Sequence, residues 1–208
     1  MRKLFLGIFA SGRGTNFKAI IEAIQNGRLD AEVKVLISNK ENAGALSIAR
    51  DNGIPTSVVS RQNFASRDLF VKTLLSTLEK YGVNFIALAG YMKKIPPEVI
   101  AAYRNRILNI HPAILPLFCG KGMYGDRVHR AVLEQGCKVT GVTVHIVDEV
   151  YDHGPIVAQQ CVPVKEKDTP ESLAARVLRV EHEIYAKALQ LFAEERVEVR
   201  EGKAIIKE

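Results

Sequence analysis

The sequence predicts an α/β protein built on a mostly parallel, twisted sheet, with helices on both faces and an antiparallel portion towards the C-terminus. Three features predict it. Apolar runs of strand length alternate with stretches whose apolar residues recur at helical spacing, as parallel strands and their crossover helices do. The first apolar run leads directly into a glycine-bearing turn and a helix, a strand–turn–helix unit. The chain is also large enough: 208 residues, 47% hydrophobic and 25% charged, suit one domain with a full core.

Each element has its own reason. Lys3 to Phe9 is a buried strand, and Ala10-Ser11-Gly12-Arg13-Gly14-Thr15-Asn16 is a small polar turn. From Phe17 the apolar residues Phe17, Ile20, Ile21 and Ile24 repeat at helix spacing until Asn26-Gly27 ends the run. Ala31 to Ser38 is a strand, Ala43 to Asn52 a helix closed by Gly53, and Thr56 to Ser60 a short strand. Phe64 to Tyr81 reads as a long amphipathic helix stopped by Gly82. Phe85 to Ala89 is a fourth strand, followed by the Gly90 to Pro97 loop and a helix from Glu98 to Tyr103.

A further strand runs into Asn109-Ile110-His111, after which Pro112 and Pro116 stop regular structure. Pro112 to Asp126 is irregular and glycine-rich, and Arg127 to Gln135 is a short helix. Cys137 to Val147 and Ile156 to Val164 are strands, read as antiparallel, around the acidic loop Asp148 to Pro155. Pro170 to Glu195 is a long helix with Asp168 or Thr169 as N-cap, and Val197 to Val199 with Ala204 to Ile206 form a terminal hairpin. Pro and Gly are scattered, so residues 1–208 read as one domain without linker or repeat.

Composition narrows the function classes. A net charge of +6 favours anionic ligands without choosing among them. The basic residues are dispersed and not interleaved with aromatics, which argues against nucleic acid as a partner. No apolar run approaches membrane-spanning length. Cys119, Cys137 and Cys161 are odd in number and lack zinc-ligand spacing, so reduced thiols in a cytoplasm and no metal are expected.

Four places carry chemistry. In an extended segment Asn109 and His111 point to one face, where an amide donor and a protonatable ring could hold a developing oxyanion and move a proton. Taken alone, the pair reads first as a strand end with a satisfied Asn and a packed His. Gly14, Thr15 and Asn16 open a helix after a strand, the arrangement that turns backbone N–H groups towards a phosphate; the alternative is an ordinary tight turn. The third glycine of a dinucleotide-binding turn is missing, because that position is Phe17. Asp152-His153-Gly154-Pro155 is a strong turn signal that also offers a carboxylate. Glu181 interrupts the largely apolar helical row Ala174, Leu178, Tyr185 and Leu189. It must find a partner or lose its charge, unless it sits at the rim or pairs with a basic residue.

The glycine turn, Gly90-Tyr91-Met92, Asn109-Ile110-His111-Pro112 with Leu115-Pro116, and Asp152-His153-Gly154-Pro155 occur in an order that resembles the phosphoribosylglycinamide formyltransferase family over essentially the whole chain. Cys119, where relatives often have proline, and a long Gly120 to Gly125 segment depart from it.

The resemblance implies a Rossmann-like formyltransferase fold. Its N-terminal half would form the nucleotide side, and its C-terminal half would complete the folate and catalytic site. It implies transfer of a formyl group from 10-formyltetrahydrofolate, as co-substrate, to the amine of glycinamide ribonucleotide in purine synthesis. Asn109, His111 and Asp152 would be catalytic, with Asp152 holding a water and raising the pKa of His111. Gly14, Thr15, Asn16 and Glu181 would bind the nucleotide, with Glu181 on the ribose hydroxyls. Arg67, Met92, Lys93, Lys94, Ile95, Asn109, Asp148, Glu149, Val150 and Tyr151 would contact the folate. Methionyl-tRNA formyltransferase and formyltetrahydrofolate hydrolase share the chemistry, but each adds a domain for which the sequence shows no room. A monomer or homodimer acting on small molecules is expected.

Overall fold

The computed structural model describes residues 3–208. Its strands are β1 (Leu4–Phe9), β2 (Ala31–Ser38), β3 (Thr56–Val58), β4 (Phe85–Leu88), β5 (Ile107–His111), β6 (Val139–Ile146) and β7 (Ile156–Pro163). Between and after them lie α1 (Thr15–Gln25), α2 (Gly44–Asp51), α3 (Arg67–Lys80), α4 (Pro97–Ala102), α5 (Asp126–Glu134) and α6 (Pro170–Ala193). A separate hairpin of β8 (Val197–Arg200) and β9 (Lys203–Ile206) follows.

The seven strands form one sheet in the order β3-β2-β1-β4-β5-β6-β7. β1 to β5 pair in parallel, while β6 runs antiparallel to both β5 and β7. Chain order reverses at β1 and β4, so their carboxyl ends form the crevice where ligands of such sheets bind. Strand alternation feeds a core on each face. Leu6, Ile8, Ala87 and Leu108 pack towards α1, α2 and α6; Phe9, Ile37, Ile86 and Leu88 pack towards α3 and α4.

The expected elements form, with shifted boundaries. α3 starts at Arg67 rather than Phe64, because the Ser66 hydroxyl caps it by accepting the Leu69 N–H at 3.1 Å. Residues before it make a short 3-10 turn at Arg61–Asn63. At the start of α6 Thr169 is the N-cap, in a reciprocal capping box with Ser172. Asp168 instead holds the Arg176 guanidinium, at 2.6 and 2.7 Å.

No helix among the described residues is long and apolar enough to cross a membrane. All three cysteines are unpaired, and no metal-ligand cluster occurs among the described residues.

Candidate active site

A cleft of about 920 Å³ opens along the carboxyl edge between the glycine turn, the end of β5, the Gly120 to Arg127 segment and α6. A smaller recess of about 80 Å³ adjoins it beside the Lys93–Ile95 and Asp148–Asp152 loops.

The glycine turn is fixed from behind. Gly14 has φ 82°, and a Cβ there would lie 2.8 Å from the Ala45 backbone, so the turn packs tightly against α2. Ser11 is buried: its N–H donates to Gly90 O at 3.1 Å and its hydroxyl accepts the Met92 N–H at 2.9 Å. That pair of bonds joins the glycine turn to the Tyr91-Met92 loop.

At the end of β5, Asn109 and His111 share a face, as the two-residue spacing predicts. Across the antiparallel ladder, Asn109 pairs with His145 and His111 with Thr143, so four polar side chains converge. Asn109 Nδ2 lies 3.1 Å from His145 Nε2 and 3.5 Å from Asp152 Oδ1. His145 Nδ1 is 3.0 Å from Ile146 O, which can only accept, so Nδ1 carries the proton and Nε2 accepts from Asn109. The same logic applies to His111. Its Nε2 donates to Phe118 O at 2.8 Å, which leaves Nδ1 facing Asp152 Oδ1 at 3.7 Å.

Asp152 itself has φ 51°, a left-handed conformation that Asp tolerates better than most residues. The next turn residue but one, Gly154, lies against the Ile146 carbonyl, where a Cβ has no room. Asp152 Oδ2 accepts the Gly120 N–H at 3.0 Å, which ties the glycine-rich segment to the site. Thr143 orders the chain after His111: its hydroxyl donates to Ala113 O at 2.7 Å and accepts the Leu115 N–H at 3.1 Å.

At His111 the expected upward push from Asp152 is present, but burial outweighs it. Burial is the strongest influence and pushes its pKa below the ordinary value; the Asp152 charge and the Phe118 carbonyl push up but do not prevail. His111 therefore favours its neutral form more than a free imidazole does. Burial works to raise Asp152, but the adjoining His145 and His111 rings, whose protonated forms its charge favours, and the Gly120 N–H together hold it below the usual carboxylate value.

Glu181 is not at the rim. It is 8% exposed, lines the cleft, and its hydrogen-bond partner is the Asn16 amide at 3.4 Å. Burial without a cationic partner pushes its pKa up to about 7. The Asn16 Oδ1 is buried and unpartnered, so this corner of the cleft holds an acceptor without a donor.

The structure brings most of the expected residues together. Gly14, Thr15, Asn16, Met92, Lys93, Asn109, His111, Tyr151, Asp152 and Glu181 line the cleft. Lys94, Ile95, Asp148 and Val150 line the recess. Two stand apart from both linings: Arg67 is bound bidentately by Glu98 at 2.6 and 2.8 Å, and Glu149 pairs with Arg104 at 3.3 Å. Sequence reasoning missed His145, Thr143 and the Phe118 carbonyl. The signal for the first two was present, since Thr143 and His145 repeat the two-residue spacing of Asn109 and His111 on the next strand.

A doubly wound sheet with a polar cluster at its carboxyl edge defines an α/β protein with a ligand-binding crevice at its switch point. The chain belongs to the formyl transferase family, whose model matches residues 5–189. Its relatives in that family include phosphoribosylglycinamide formyltransferases. It is 47% identical over 201 residues to the chloroplastic enzyme of that name from Arabidopsis thaliana, covering 96% of this chain and 69% of that one. With the Escherichia coli (strain K12) enzyme it shares 34% identity over 197 residues, covering 95% and 91%. The crystal structure of glycinamide ribonucleotide transformylase 1 from Symbiobacterium toebii superposes with a TM-score of 0.92 at 40% identity, covering 100% and 95%. Across the plant relatives the chain spans 63% to 69% of their length.

Proposed function

We propose that this protein transfers the formyl group of 10-formyltetrahydrofolate to the amine of glycinamide ribonucleotide, giving formylglycinamide ribonucleotide and tetrahydrofolate. The observation that carries the reading is the convergence of Asn109, His111 and Asp152 with the glycine turn and Glu181 on one cleft.

The nucleotide phosphate lies at the N-terminus of α1, against Gly14, Thr15 and Asn16. Its ribose hydroxyls meet Glu181 and donate to the open Asn16 Oδ1. The folate enters over Met92, Lys93 and Tyr151, with its ring system in the recess beside Lys94, Ile95, Asp148 and Val150. Arg67 and Glu149 join the folate side by exchanging their present partners. Asn109 contacts the folate through the formyl oxygen.

The nucleotide amine attacks the formyl carbon, and negative charge develops on the formyl oxygen. The Asn109 amide meets that charge by exchanging its long contact with Asp152 for the substrate oxygen. The amine must lose a proton and the folate nitrogen must gain one. A neutral His111 accepts the first through Nδ1, by way of a water held by Asp152, and returns it to the leaving nitrogen. Burial thus suits His111 to begin the cycle as a base. Asp152 steadies the imidazolium that forms. We read residues 1–208 as one catalytic domain, a monomer or homodimer of the cytoplasm, a reading that the free thiols support.

Incubation with both substrates, with product separation, tests the assignment. Formylated nucleotide should appear only when both are present. Asn109→Ala should lower kcat roughly 10²–10³-fold, as loss of one oxyanion donor does elsewhere. Release of formate without formylated nucleotide would overturn the reading.

A further inference from the structure

The hydroxyl of Tyr185 lies behind the cleft, not in it. Tyr185 is 1% exposed, and its hydroxyl stands 3.0 Å from both Leu88 O and Leu108 O. Both partners accept and a phenol carries one proton, so the two carbonyls share it. Burial raises the phenol well above its ordinary pKa, which keeps it a donor. Packing alone does not ask for this group: Phe would fill the space without a hydroxyl to desolvate.

The two carbonyls are placed tellingly. Leu108 immediately precedes Asn109, and Leu88 is the register partner of Asn109 across the β4–β5 ladder. Leu88 also leads to Gly90, whose carbonyl accepts the Ser11 N–H at the glycine turn. Glu181 stands one turn before Tyr185 on the same face of α6.

We propose that Tyr185 is a positioning residue, whose hydroxyl ties the turn of α6 carrying Glu181 to the strand ends carrying Asn109. It thereby sets the span between the anchor of the nucleotide and the donor to the formyl oxygen. This rests on the roles given above to Glu181 and Asn109. Transfer between two bound molecules depends steeply on such a span, because reacting atoms must meet near 3–3.5 Å.

The test compares Tyr185→Phe, Glu181→Gln and the double variant in the full chain. Affinity for glycinamide ribonucleotide is measured by calorimetry, kcat and both KM values by product formation, and stability by urea unfolding. Tyr185→Phe should weaken nucleotide binding and lower kcat, each roughly two- to tenfold, as loss of one buried hydrogen bond would. The folate KM should stay unchanged. The double variant should bind nucleotide no more weakly than Glu181→Gln alone, since one acts through the other. 4-Aminophenylalanine at position 185, which returns a donor to the same place, should recover most of both losses.

A Tyr185→Phe protein that unfolds at lower urea yet binds and turns over like wild type would make the hydroxyl merely structural. So would failure of the amino analogue to rescue. Losses that multiply in full in the double variant would show that Tyr185 does not act through Glu181, and would overturn the proposal. A wild-type protein that binds nucleotide but makes no formylated product would overturn the proposed function instead, and the binding comparison would still decide the role of Tyr185.

Discussion

His111 shows how burial and charge compete at one residue. The sequence supplies Asn109, Ile110 and His111, and the period of a strand suffices to aim the first and third at one point. It does not reveal how deeply His111 is sunk. That depth, 3% exposure, decides its charge, because desolvation outweighs the carboxylate 3.7 Å away. The spacing of Thr143 and His145 was legible, but the importance of His145 comes from lying opposite Asn109, and cross-strand register is not written locally. Asp152 still raises the His111 pKa even though it does not prevail. Asp152→Asn should therefore lower it further. A base must be unprotonated to act, so the acid limb of the pH–rate profile should move to lower pH in the variant, with kcat reduced at every pH. NMR titration of the His111 ring reads the same shift directly. An unmoved ring titration would remove Asp152 from the electrostatics of His111.

At the scale of elements, the glycine turn has two roles that sequence alone runs together. Strand, turn and α1 were legible from periodicity and from Asn26-Gly27 as a stop. That Gly14 touches α2 was not, because Ala45 is distant in sequence and close only in the fold. A bulky residue at position 14 would therefore disturb α1 against α2 before it disturbed a phosphate. Gly14→Ala should destabilise the protein by about 1–3 kcal/mol, through both its positive φ and overpacking, as urea unfolding would show. It should harm both substrates' kinetics alike. Thr15→Val, which keeps the shape and loses only the hydroxyl, separates the two roles. It should raise the nucleotide KM while leaving the folate KM and the urea midpoint near wild type. Equal effects on both substrates would take Thr15 out of the phosphate site. The start of α3 teaches the same lesson about ends. Its apolar period was plain, but the Ser66 cap, not the first apolar residue, sets where the helix begins.

On the scale of the whole molecule, alternation of strands and helices made the parallel sheet legible, and the change of rhythm after Pro112 marked the antiparallel portion. Strand order was not legible, since nothing local says that β4 returns to lie beside β1. That return gathers the glycine turn, the β5 end and α6 around one crevice, and it forces Glu181 into a largely apolar neighbourhood. The molecule bears a stability cost there that varies with pH. The folded-state pKa of Glu181, about 7, lies above its unfolded value near 4.5. The stabilisation from burying the neutral acid is complete below the unfolded value, declines as pH rises, and is lost above the folded one. A difference of that size is worth on the order of 3 kcal/mol. Glu181→Gln removes the titration, and the amide it introduces can donate to the unpartnered Asn16 Oδ1. The empty variant should therefore be more stable than wild type at about pH 8 by up to that amount, with the advantage shrinking towards about pH 5. It should bind the nucleotide more weakly throughout, because a carboxylate accepts two ribose hydroxyls better than an amide does. Urea unfolding across pH, paired with nucleotide titration, measures both halves. A stability difference that did not change between those pH values would mean that Glu181 keeps an ordinary pKa, and that its place in the apolar row of α6 costs the fold nothing.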